Sequence, residues 1–319
     1  MRQFSKRKNN NTFKVGIVGH GFVGQAVEYA FTHPLVEFQL FDPKYNTSVD
    51  DLEDVSPEEA PHCFFISAPT PSNDDGSVNS SIVETAVIKC LNYTDATVIV
   101  KSTITPDVID RLYGAMDKEQ RDRFCYNPEF LTEKNAKADF VTAKFHVMGG
   151  TPQAVMEVTD IYEIFSACES NDYHRMTAYE ASFVKYTINS FLSTKITFFN
   201  QLYDLVNLYG CNYNTIVRAA GKDERVGMGH TRVPGFDGKR GFGGACLPKD
   251  TKAFLRFSTH EDIDGNQICF DLLEKVLDIN SDYRVQYDLD EREKVNNITF
   301  VNFGDKNVHN GKTEEELED

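Results

Sequence analysis

The residue types best suited to covalent chemistry lie together in one short segment, residues 241–251. Its sequence is GFGGACLPKDT, so Cys246 follows a run of glycines and precedes Lys249 and Asp250 by three and four residues. Glycines let a backbone approach a ligand closely, and a neighbouring cation lowers the pKa of a thiol, which makes it a nucleophile. Cys246 is therefore a candidate nucleophile. The alternative is a buried cysteine that acts as a small apolar residue, the usual role of this side chain.

A second glycine run predicts a nucleotide site. Residues 19–24 have the sequence GHGFVG, follow the apolar run 13–18, and precede a helical segment; Asp42 ends the next strand, 18 positions beyond Gly24. This spacing permits a tight turn and brings backbone amides to a pyrophosphate at the helix N-terminus. Asp42 accepts hydrogen bonds from ribose hydroxyls and repels a 2′-phosphate, which favours NAD over NADP. The predicted cofactor residues here are Gly19, Gly21, Phe22, Val23, Gly24 and Asp42.

Further polar residues follow predicted strands. Pro69 and Thr70 follow the strand at 62–67, and Ser102 and Thr103 follow the strand at 96–100. Open α/β sheets bind ligands at the carboxyl ends of their strands, although each pair is equally well explained as a turn or a helix cap.

The segment 127–133, NPEFLTE, follows another predicted strand. It carries Glu129 and Glu133 four residues apart, which is one face of the segment if it is helical. On the residues alone, two surface acids are the simpler interpretation.

Short apolar strands that alternate with helices position these residues. Strands are expected at 13–18, 38–41, 62–67, 96–100, 124–126 and 144–148, with helices at 25–32 and 81–92. This pattern predicts an α/β fold, an N-terminal Rossmann-type doubly wound parallel sheet covered on both faces. Residues 177–209 contain no Gly or Pro and predict one long helix that links two domains or forms a dimer face. Helices at 249–257 and 265–280 and a strand at 298–303 complete the pattern.

Composition excludes several classes of protein. The 319 residues include 33 basic and 49 acidic side chains, a formal charge of −16, so binding to nucleic acid or to anionic membranes is not expected. No run of about 18 apolar residues predicts a membrane span. Seven widely spaced cysteines form no metal-binding or disulfide pattern, so we expect no metal and a reducing, cytoplasmic setting.

Taken together, the motifs resemble the UDP-glucose/UDP-mannuronate dehydrogenase family of nucleotide-sugar 6-dehydrogenases. Five blocks carry the resemblance in the family's order: GHGFVG (19–24), APTP (68–71), KST (101–103), NPEFLTE (127–133) and GFGGACLPKDT (241–251). The long helix adds YEASFVKYTIN (179–189). The block around Cys246 is highly specific, and the others gain weight from their order and spacing.

The resemblance implies a four-electron oxidation of a nucleotide-sugar C6 alcohol to the uronic acid. NAD takes one hydride to give an aldehyde, and Cys246 adds to that aldehyde as a thiohemiacetal. A second NAD takes another hydride, and water hydrolyses the resulting thioester. A UDP-sugar is the implied substrate.

The resemblance also implies roles for individual residues. Lys185 and Asn189 are four apart on one helix face and can donate to one substrate oxygen. Asp250 and Thr103 match the family's water-holding pair, and Glu129 its general base. Thr103, Pro69, Thr70, Ser102 and Glu133 are assigned to the cofactor side, Glu133 either there or near Cys246. The implied substrate-binding residues are Glu129, Phe130, Leu131, Lys185, Asn189, Gly241, Phe242, Gly243 and Lys249.

The length departs from the family's pattern, since members usually continue into a second Rossmann-like, UDP-binding domain. Only about 40 residues follow position 280, too few for such a domain. The expected organisation is a flexible tail (1–12), an NAD-binding domain (13–176), a long helix with a small helical central, dimerising domain (177–285) and a short acidic extension (286–319). The third domain is expected to be absent, which leaves open how the nucleotide half of a substrate is held.

Two other functions fit part of the pattern. A single-hydride dehydrogenase of the β-hydroxyacid type shares the glycine motif and a helical Lys and Asn, but needs no cysteine. A non-catalytic NAD-binding subunit is a third possibility, against which the complete set of catalytic residues argues. Residues 241–251 favour the four-electron oxidation over both alternatives. The number of NADH formed per product distinguishes it from the single-hydride reaction.

Overall fold

The computed structural model describes residues 12–259 and 268–300. Contacts between Cα atoms divide the described chain into two compact units. The first runs to Thr70 and resumes at Asn79–Lys185. The second consists of Pro71–Val78 and the chain from Tyr186 onward. Residues 1–11 of the predicted tail (1–12) lie outside the described residues, as do residues 260–267 and those from 301.

One seven-stranded sheet forms the centre of the first unit. Its spatial order is β2-β1-β3-β4-β5-β6-β7. The neighbours from β2 to β5 pair in parallel, β6 pairs antiparallel with β5, and β7 pairs in parallel with β6. The strands are β1 Phe13–Val18, β2 Val36–Phe41, β3 Cys63–Ile66, β4 Thr97–Val100, β5 Phe124–Tyr126, β6 His146–Gly150 and β7 Tyr173–Met176.

Helices connect the strands and build the second unit. The first unit holds α1 Phe22–Ala30, α2 Ser81–Tyr93, α3 Pro106–Ala115, α4 Lys118–Arg121, α5 Ala136–Val141 and α6 Pro152–Phe165. They are followed by α7 Ala178–Leu208, α8 Tyr213–Ala220, α9 Leu247–Ser258, α10 Asp271–Arg284 and α11 Glu291–Val295. Short 3-10 turns occupy Pro43–Tyr45, Val49–Asp54 and Glu133–Asn135. In the described part of the chain, no helix is both long and apolar enough to cross a membrane.

The central strands are buried on both faces because their side chains alternate between two apolar layers. Phe64 and Ile66 of β3 belong to one core cluster, whereas Phe65 belongs to the other. Val98 and Ile99 of β4 divide in the same way. Strands with this double burial have continuous apolar sequences, which is why their positions can be predicted from sequence.

The predicted α/β class, the Rossmann-type sheet, the long helix and the helical second part are confirmed, with one correction. The sheet is mostly rather than wholly parallel, because β6 and β7 run against β1–β5. An apolar run such as Val147-Met148 has the same composition in either strand direction, so sequence does not reveal the reversal. Strand β7 contains exposed His174 and Arg175 and was not predicted.

Smaller differences concern the ends of elements. Helix α10 begins at Asp271, whereas the sequence predicted a start at 265; residues 265–267 lie outside the described part. Residues 298–300 form no strand, and the remainder of the predicted strand is not described. The described residues form one sheet, and no second Rossmann-type sheet is among them.

Candidate functional site

In the first unit, the N-terminal glycine turn (residues 19–24) joins β1 to α1 as tightly as the backbone allows. Gly19 has φ +83, and a Cβ there would lie 2.7 Å from the backbone oxygen of Ser67. At Gly24 a Cβ would lie 2.2 Å from the backbone oxygen of Gly19. Both positions exclude a side chain because backbone packs against backbone.

Gly21 differs from these two glycines. A Cβ added there meets no atom within 4 Å, so the space in front of the α1 N-terminus is open. Gly21 is the N-cap of α1 and makes no side-chain cap, and no acidic residue occupies the helix's first turn. Open space beside unsatisfied helix amides is suited to a pyrophosphate, since the helix dipole favours an anion there. The residues present therefore fit a bound dinucleotide.

Asp42 directly follows β2, and its carboxylate is held in place beside this turn. Its Oδ2 accepts from the backbone N–H of His20 at 2.7 Å, and Oδ1 accepts from that of Lys44 at 2.9 Å. Burial raises the pKa of Asp42, but these two hydrogen bonds outweigh that effect and hold the pKa below its usual value. An ionised carboxylate at this place accepts hydrogen bonds from a ribose and repels a phosphate.

The glycine turn has side-chain support that the sequence motif did not reveal. His20 is buried, its Nδ1 lies 2.8 Å from the Tyr45 hydroxyl, and its Nε2 lies 3.0 Å from the Glu28 carboxylate. The Gln25 side chain donates to the backbone oxygen of His20 at 3.2 Å. These contacts hold the turn from both sides. Their only sequence signal is the spacing of His20 and Glu28, eight residues apart across the start of α1.

Four of the other predicted cofactor residues follow the carboxyl ends of β3 and β4, and Glu133 follows β5 along the chain. Ser102 is buried, and its hydroxyl donates to the backbone oxygen of Ala68 at 2.7 Å, which ties the two strand ends together. Thr70 is buried, Pro69 is exposed and Thr103 is half-buried. Glu133 begins a 3-10 turn and is exposed.

Glu129 and Lys185 form a buried pair in the first unit. The Lys185 ammonium donates to the backbone oxygen of Glu129 at 2.5 Å and lies 3.3 Å from its carboxylate. The other carboxylate oxygen accepts from the backbone N–H of Leu131 at 2.6 Å, and Lys185 also lies over the Phe130 ring. The structure thus brings four predicted residues together. It also rules out the interpretation of Glu129 as a surface acid, since that residue is 8% exposed.

A buried lysine, Lys101, lies in the same unit, and its neighbours were not predicted. Its ammonium donates to Asn127 Oδ1 at 2.9 Å and lies 3.4 Å from the Tyr162 hydroxyl, which donates to the same oxygen at 2.6 Å. Burial lowers the pKa of Lys101 to about 8. Lys101 and Asn127 belong to two of the recognised sequence blocks, but Tyr162 is in α6, and no pattern connects it to them.

In the second unit, Cys246 lies directly before α9 and is half-buried. Nearby, Asp250 is 1% exposed and both of its carboxylate oxygens have donors. Lys249 donates to Oδ1 at 2.6 Å and Asn189 to Oδ2 at 2.6 Å. A thiol at the start of a helix, with a fixed, charge-compensated carboxylate one turn along that helix, is suited to nucleophilic chemistry.

Lys185 and Asn189 are one turn apart on α7, as the sequence predicted, and each is hydrogen-bonded to a different acid. Lys185 contacts Glu129 in the first unit, and Asn189 contacts Asp250 in the second. The predicted pairing of Asp250 with Thr103 concerns residues of different units. Within its own unit, Asp250 accepts hydrogen bonds from Lys249 and Asn189.

Three side chains hold the central glycine turn (residues 241–244) that precedes Cys246. The backbone N–H of Gly241 donates to Asn200 at 3.0 Å, that of Phe242 to Asn280 at 2.6 Å, and that of Gly244 to Glu293 at 3.0 Å. Asn280 also donates to the backbone oxygen of Phe242 at 3.0 Å. Sequence reasoning missed these residues because 38 or more positions separate each from its partner.

Two family models match the chain and agree with this geometry. Residues 43–166 match the NAD-binding domain of the UDP-glucose/GDP-mannose dehydrogenase family, and residues 179–282 match that family's central domain. A Rossmann-type sheet with a dinucleotide turn, followed by a helical domain with a cysteine-bearing glycine loop, defines the dehydrogenase type of NAD-binding protein. The chain belongs to the UDP-glucose/GDP-mannose dehydrogenase family.

Individual relatives resemble the chain over part of their length. It is 30% identical over 230 residues to the UDP-glucose 6-dehydrogenase AglM of Haloferax volcanii, which is 68% of this chain and 51% of that protein. It is 32% identical over 214 residues to the UDP-glucose 6-dehydrogenase of Pseudomonas aeruginosa, 63% of this chain and 45% of that protein. The chain therefore spans about half the length of the curated relatives it matches.

Solved structures share the fold. A UDP-glucose dehydrogenase from Pyrobaculum islandicum has a TM-score of 0.67 and 26% identity, with 88% of this chain and 71% of that chain covered. The 3-hydroxyisobutyrate dehydrogenase of Mycobacterium tuberculosis has a TM-score of 0.67 at 15% identity, with 88% and 96% covered. The second likeness concerns the fold alone.

Two glycines of the N-terminal turn, Gly24 and Gly21, are expected to respond differently to replacement by alanine. We expect Gly24→Ala to destabilise the protein by about 1–3 kcal/mol, because its Cβ overlaps the Gly19 oxygen. Gly21→Ala keeps the stability of the wild type but weakens NAD binding roughly tenfold, about 1.4 kcal/mol, since its Cβ fills the open space before α1. Urea unfolding and calorimetric NAD titration measure both effects. Unchanged NAD affinity in Gly21→Ala contradicts the assignment.

Proposed function

We propose that the protein is an NAD-dependent nucleotide-sugar 6-dehydrogenase. It oxidises the C6 alcohol of a UDP-sugar, in the manner of a UDP-glucose 6-dehydrogenase, to the uronic acid. The observation that carries the proposal is Cys246 at the start of α9, one turn before the buried Asp250 with its Lys249 and Asn189 donors. Family membership and the curated relatives named above support the same chemistry.

The cofactor residues are those of the first unit. Gly19, Gly21 and Gly24 shape the turn, the α1 amides of Phe22 and Val23 face the pyrophosphate, and Asp42 accepts from the ribose. Thr70, Ser102 and Thr103, with Pro69 and Glu133, border the nicotinamide side. When bound, NAD supplies the hydride acceptor for each of the two oxidation steps.

The protein's own residues perform the remaining steps. The Cys246 thiolate adds to the C6 aldehyde and forms a C–S bond, and the resulting alkoxide takes a proton to become a thiohemiacetal. Loss of a hydride and a proton from this adduct gives a thioester. Water then attacks the thioester carbonyl, the C–S bond breaks, and the carboxylate product and the free thiol are released.

Proton transfer and charge stabilisation fall to the buried polar groups. Lys185 and Asn189 donate to the substrate oxygen as negative charge develops there. Glu129, whose carboxylate lies against Lys185 and accepts from the Leu131 N–H, takes a proton from the attacking water. Asp250, held by Lys249 and Asn189, orients that water.

Each unit contains residues that we propose for substrate binding. The protein has an overall charge of −16, so an anionic substrate needs positive charge at its binding site. The ammonium groups of Lys185 and Lys249 supply that charge. Backbone groups of the central glycine turn and the 129–131 segment provide neutral contacts. The proposed substrate-binding residues are Glu129, Phe130, Leu131, Lys185, Asn189, Gly241, Phe242, Gly243 and Lys249.

One alternative, a single-hydride oxidation of the β-hydroxyacid type, also uses a lysine and an asparagine on a helix. Lys185 and Asn189 serve either reaction. Cys246 serves only the four-electron reaction, so the number of hydrides transferred separates the two.

We further propose that the protein is a homodimer formed through α7, in a reducing, cytoplasmic setting. Phe191, Phe198 and Leu205 recur at intervals of seven along α7 and are 61%, 60% and 54% exposed. A seven-residue apolar row on one helix is typical of a helix–helix interface. The seven widely spaced cysteines form no disulfide pattern in the sequence, which supports a reducing setting.

Replacing Cys246 tests the four-electron reaction. With UDP-glucose, the wild type forms two NADH per sugar, and Cys246→Ser loses acid production by about 10³-fold or more because no thioester forms. NADH absorbance and product chromatography measure both quantities. Cys211→Ser, at an exposed thiol, is the matched control and retains wild-type rates. Acid production at wild-type rate by Cys246→Ser contradicts the mechanism.

Replacing Asp42 tests the preference for NAD. Asp42→Ala loses charge-assisted hydrogen bonds to the ribose, so kcat/KM with NAD falls about 10–100-fold, corresponding to about 1.5–3 kcal/mol. The preference for NAD over NADP narrows because the repulsion of a 2′-phosphate is removed. Steady-state kinetics with both cofactors measure the change, and Glu37→Gln, an exposed acid on β2, is the control. An unchanged ratio contradicts the role of Asp42.

The α7 surface predicts a variant that separates the subunits. Phe198→Glu places a charge in the apolar row and is expected to give a monomer, whereas the wild type and Phe236→Glu remain dimeric. Phe236 is 83% exposed and lies outside the row, so it controls for a new surface charge. Sedimentation velocity at micromolar concentration measures the mass. A monomeric wild type, or a dimeric Phe198→Glu, contradicts the proposed interface.

A further inference from the structure

The central glycine turn is held in part by a segment that follows the recognised central domain. That domain's match ends at residue 282, whereas α11, Glu291–Val295, lies beyond it. One side chain of α11, Glu293, reaches back to the turn and is completely buried. Its Oε1 accepts the backbone N–H of Gly244 at 3.0 Å.

Glu293 is itself rigidly fixed. The same Oε1 pairs with Arg284 Nη2 at 2.5 Å, and Oε2 accepts the backbone N–H of Asp290 at 2.8 Å. Arg284 is 1% exposed, and its Nη1 pairs with Asp237 at 2.7 Å. A carboxylate with donors on both oxygens has little freedom to rotate, so the group it holds is fixed as well.

The turn is shaped to fit this pair. A Cβ at Gly243 would lie 2.1 Å from Arg284 Nη2 and 2.5 Å from Glu293 Oε1, so only glycine fits against the pair. The next residue, Gly244, has φ +80, a conformation that favours glycine, and its N–H points at Glu293. Cys246 follows two residues later at the start of α9.

We propose that Glu293 is a positioning residue for Cys246. By holding the Gly244 N–H, it fixes the turn that places the thiol at the N-terminus of α9, where helix amides stabilise a thiolate. Burying an ion pair adds little to stability compared with apolar residues of the same size, so a positional role is a better account of its presence than stability. The proposal rests on the proposed function insofar as Cys246 is the nucleophile.

Two double variants distinguish a positioning role of Glu293 from a purely stabilising one. Arg284→Met with Glu293→Gln removes the ion pair but retains an oxygen acceptor for the Gly244 N–H. Arg284→Met with Glu293→Leu removes the ion pair and the acceptor. Neither variant leaves Arg284 or Glu293 as an unpaired buried charge. Both remove the Arg284 partner of Asp237, which is 27% exposed, so that loss is the same in the two proteins. Both are expected to fold, and matching thermal unfolding midpoints will confirm that they can be compared.

The readout is the reactivity of Cys246, which needs no turnover. Alkylation by iodoacetamide at pH 8 is followed by mass spectrometry of the Cys246 peptide, with exposed Cys211 as the internal control. We expect the Leu variant to react at Cys246 at least fivefold more slowly than the wild type, and the Gln variant within twofold of it. Cys211 reacts at the same rate in all three proteins.

Equal Cys246 reactivity in the two double variants overturns the proposal, as does a Leu variant that matches the wild type. Turnover provides a second, independent readout. If the protein oxidises UDP-glucose, kcat falls about tenfold in the Leu variant with the KM for NAD within twofold. If no substrate is oxidised, the proposed function fails, but the alkylation result still decides the role of Glu293.

Discussion

A buried carboxylate needs hydrogen-bond donors to replace water. Three buried acids of this chain, with their donors, fix the segments that carry the candidate site residues. Glu129, Asp250 and Glu293 are 8%, 1% and 0% exposed. Each has an Arg, Lys or Asn donor, and Glu129 and Glu293 also accept backbone N–H groups. Leaving such a charge unpaired is far more costly than the pairing is favourable, so the partners are constrained together. Segments that carry no regular structure, such as 129–131 and 241–244, obtain their shape from these contacts.

Much of the fold follows from local sequence. Apolar runs such as Phe64–Ile66 and Val98–Val100 predict β3 and β4 because burial on both faces leaves no polar alternation. The uninterrupted run without Gly or Pro predicts α7 nearly to its ends. The direction of β6 does not follow, because parallel and antiparallel neighbours bury the same side chains. Strand β7 was missed because the exposed His174 and Arg175 give it no apolar signal.

The candidate site, too, can be predicted only in part from the sequence. Residue types at short spacing, Cys246 with Lys249 and Asp250 or Lys185 with Asn189, are visible in sequence because one helix turn brings them together. The side chains that hold them come from distant positions: Asn200, Asn280 and Glu293 for the central glycine turn, and His20 with Tyr45 for the N-terminal one. An asparagine or a glutamate in a helix has no feature that distinguishes a loop ligand from a surface residue. Only the tertiary fold identifies these contacts.

The buried ammonium of Lys101 affects how the first unit behaves in alkali. Its pKa is about 8 in the folded protein and near 10.5 when exposed. Between these values the unfolded chain binds more protons than the folded one, so this group favours folding increasingly as the pH rises through that window. The thiols of Cys63, Cys90 and Cys125 act oppositely: burial raises the pKa of each, that of Cys125 to about 12, so their contribution is lost as the pH rises above the value of a free thiol. In alkali, the buried amine of Lys101 therefore acts against the buried thiols. The buried Tyr162 hydroxyl, whose pKa burial also raises, acts in the same direction as the thiols.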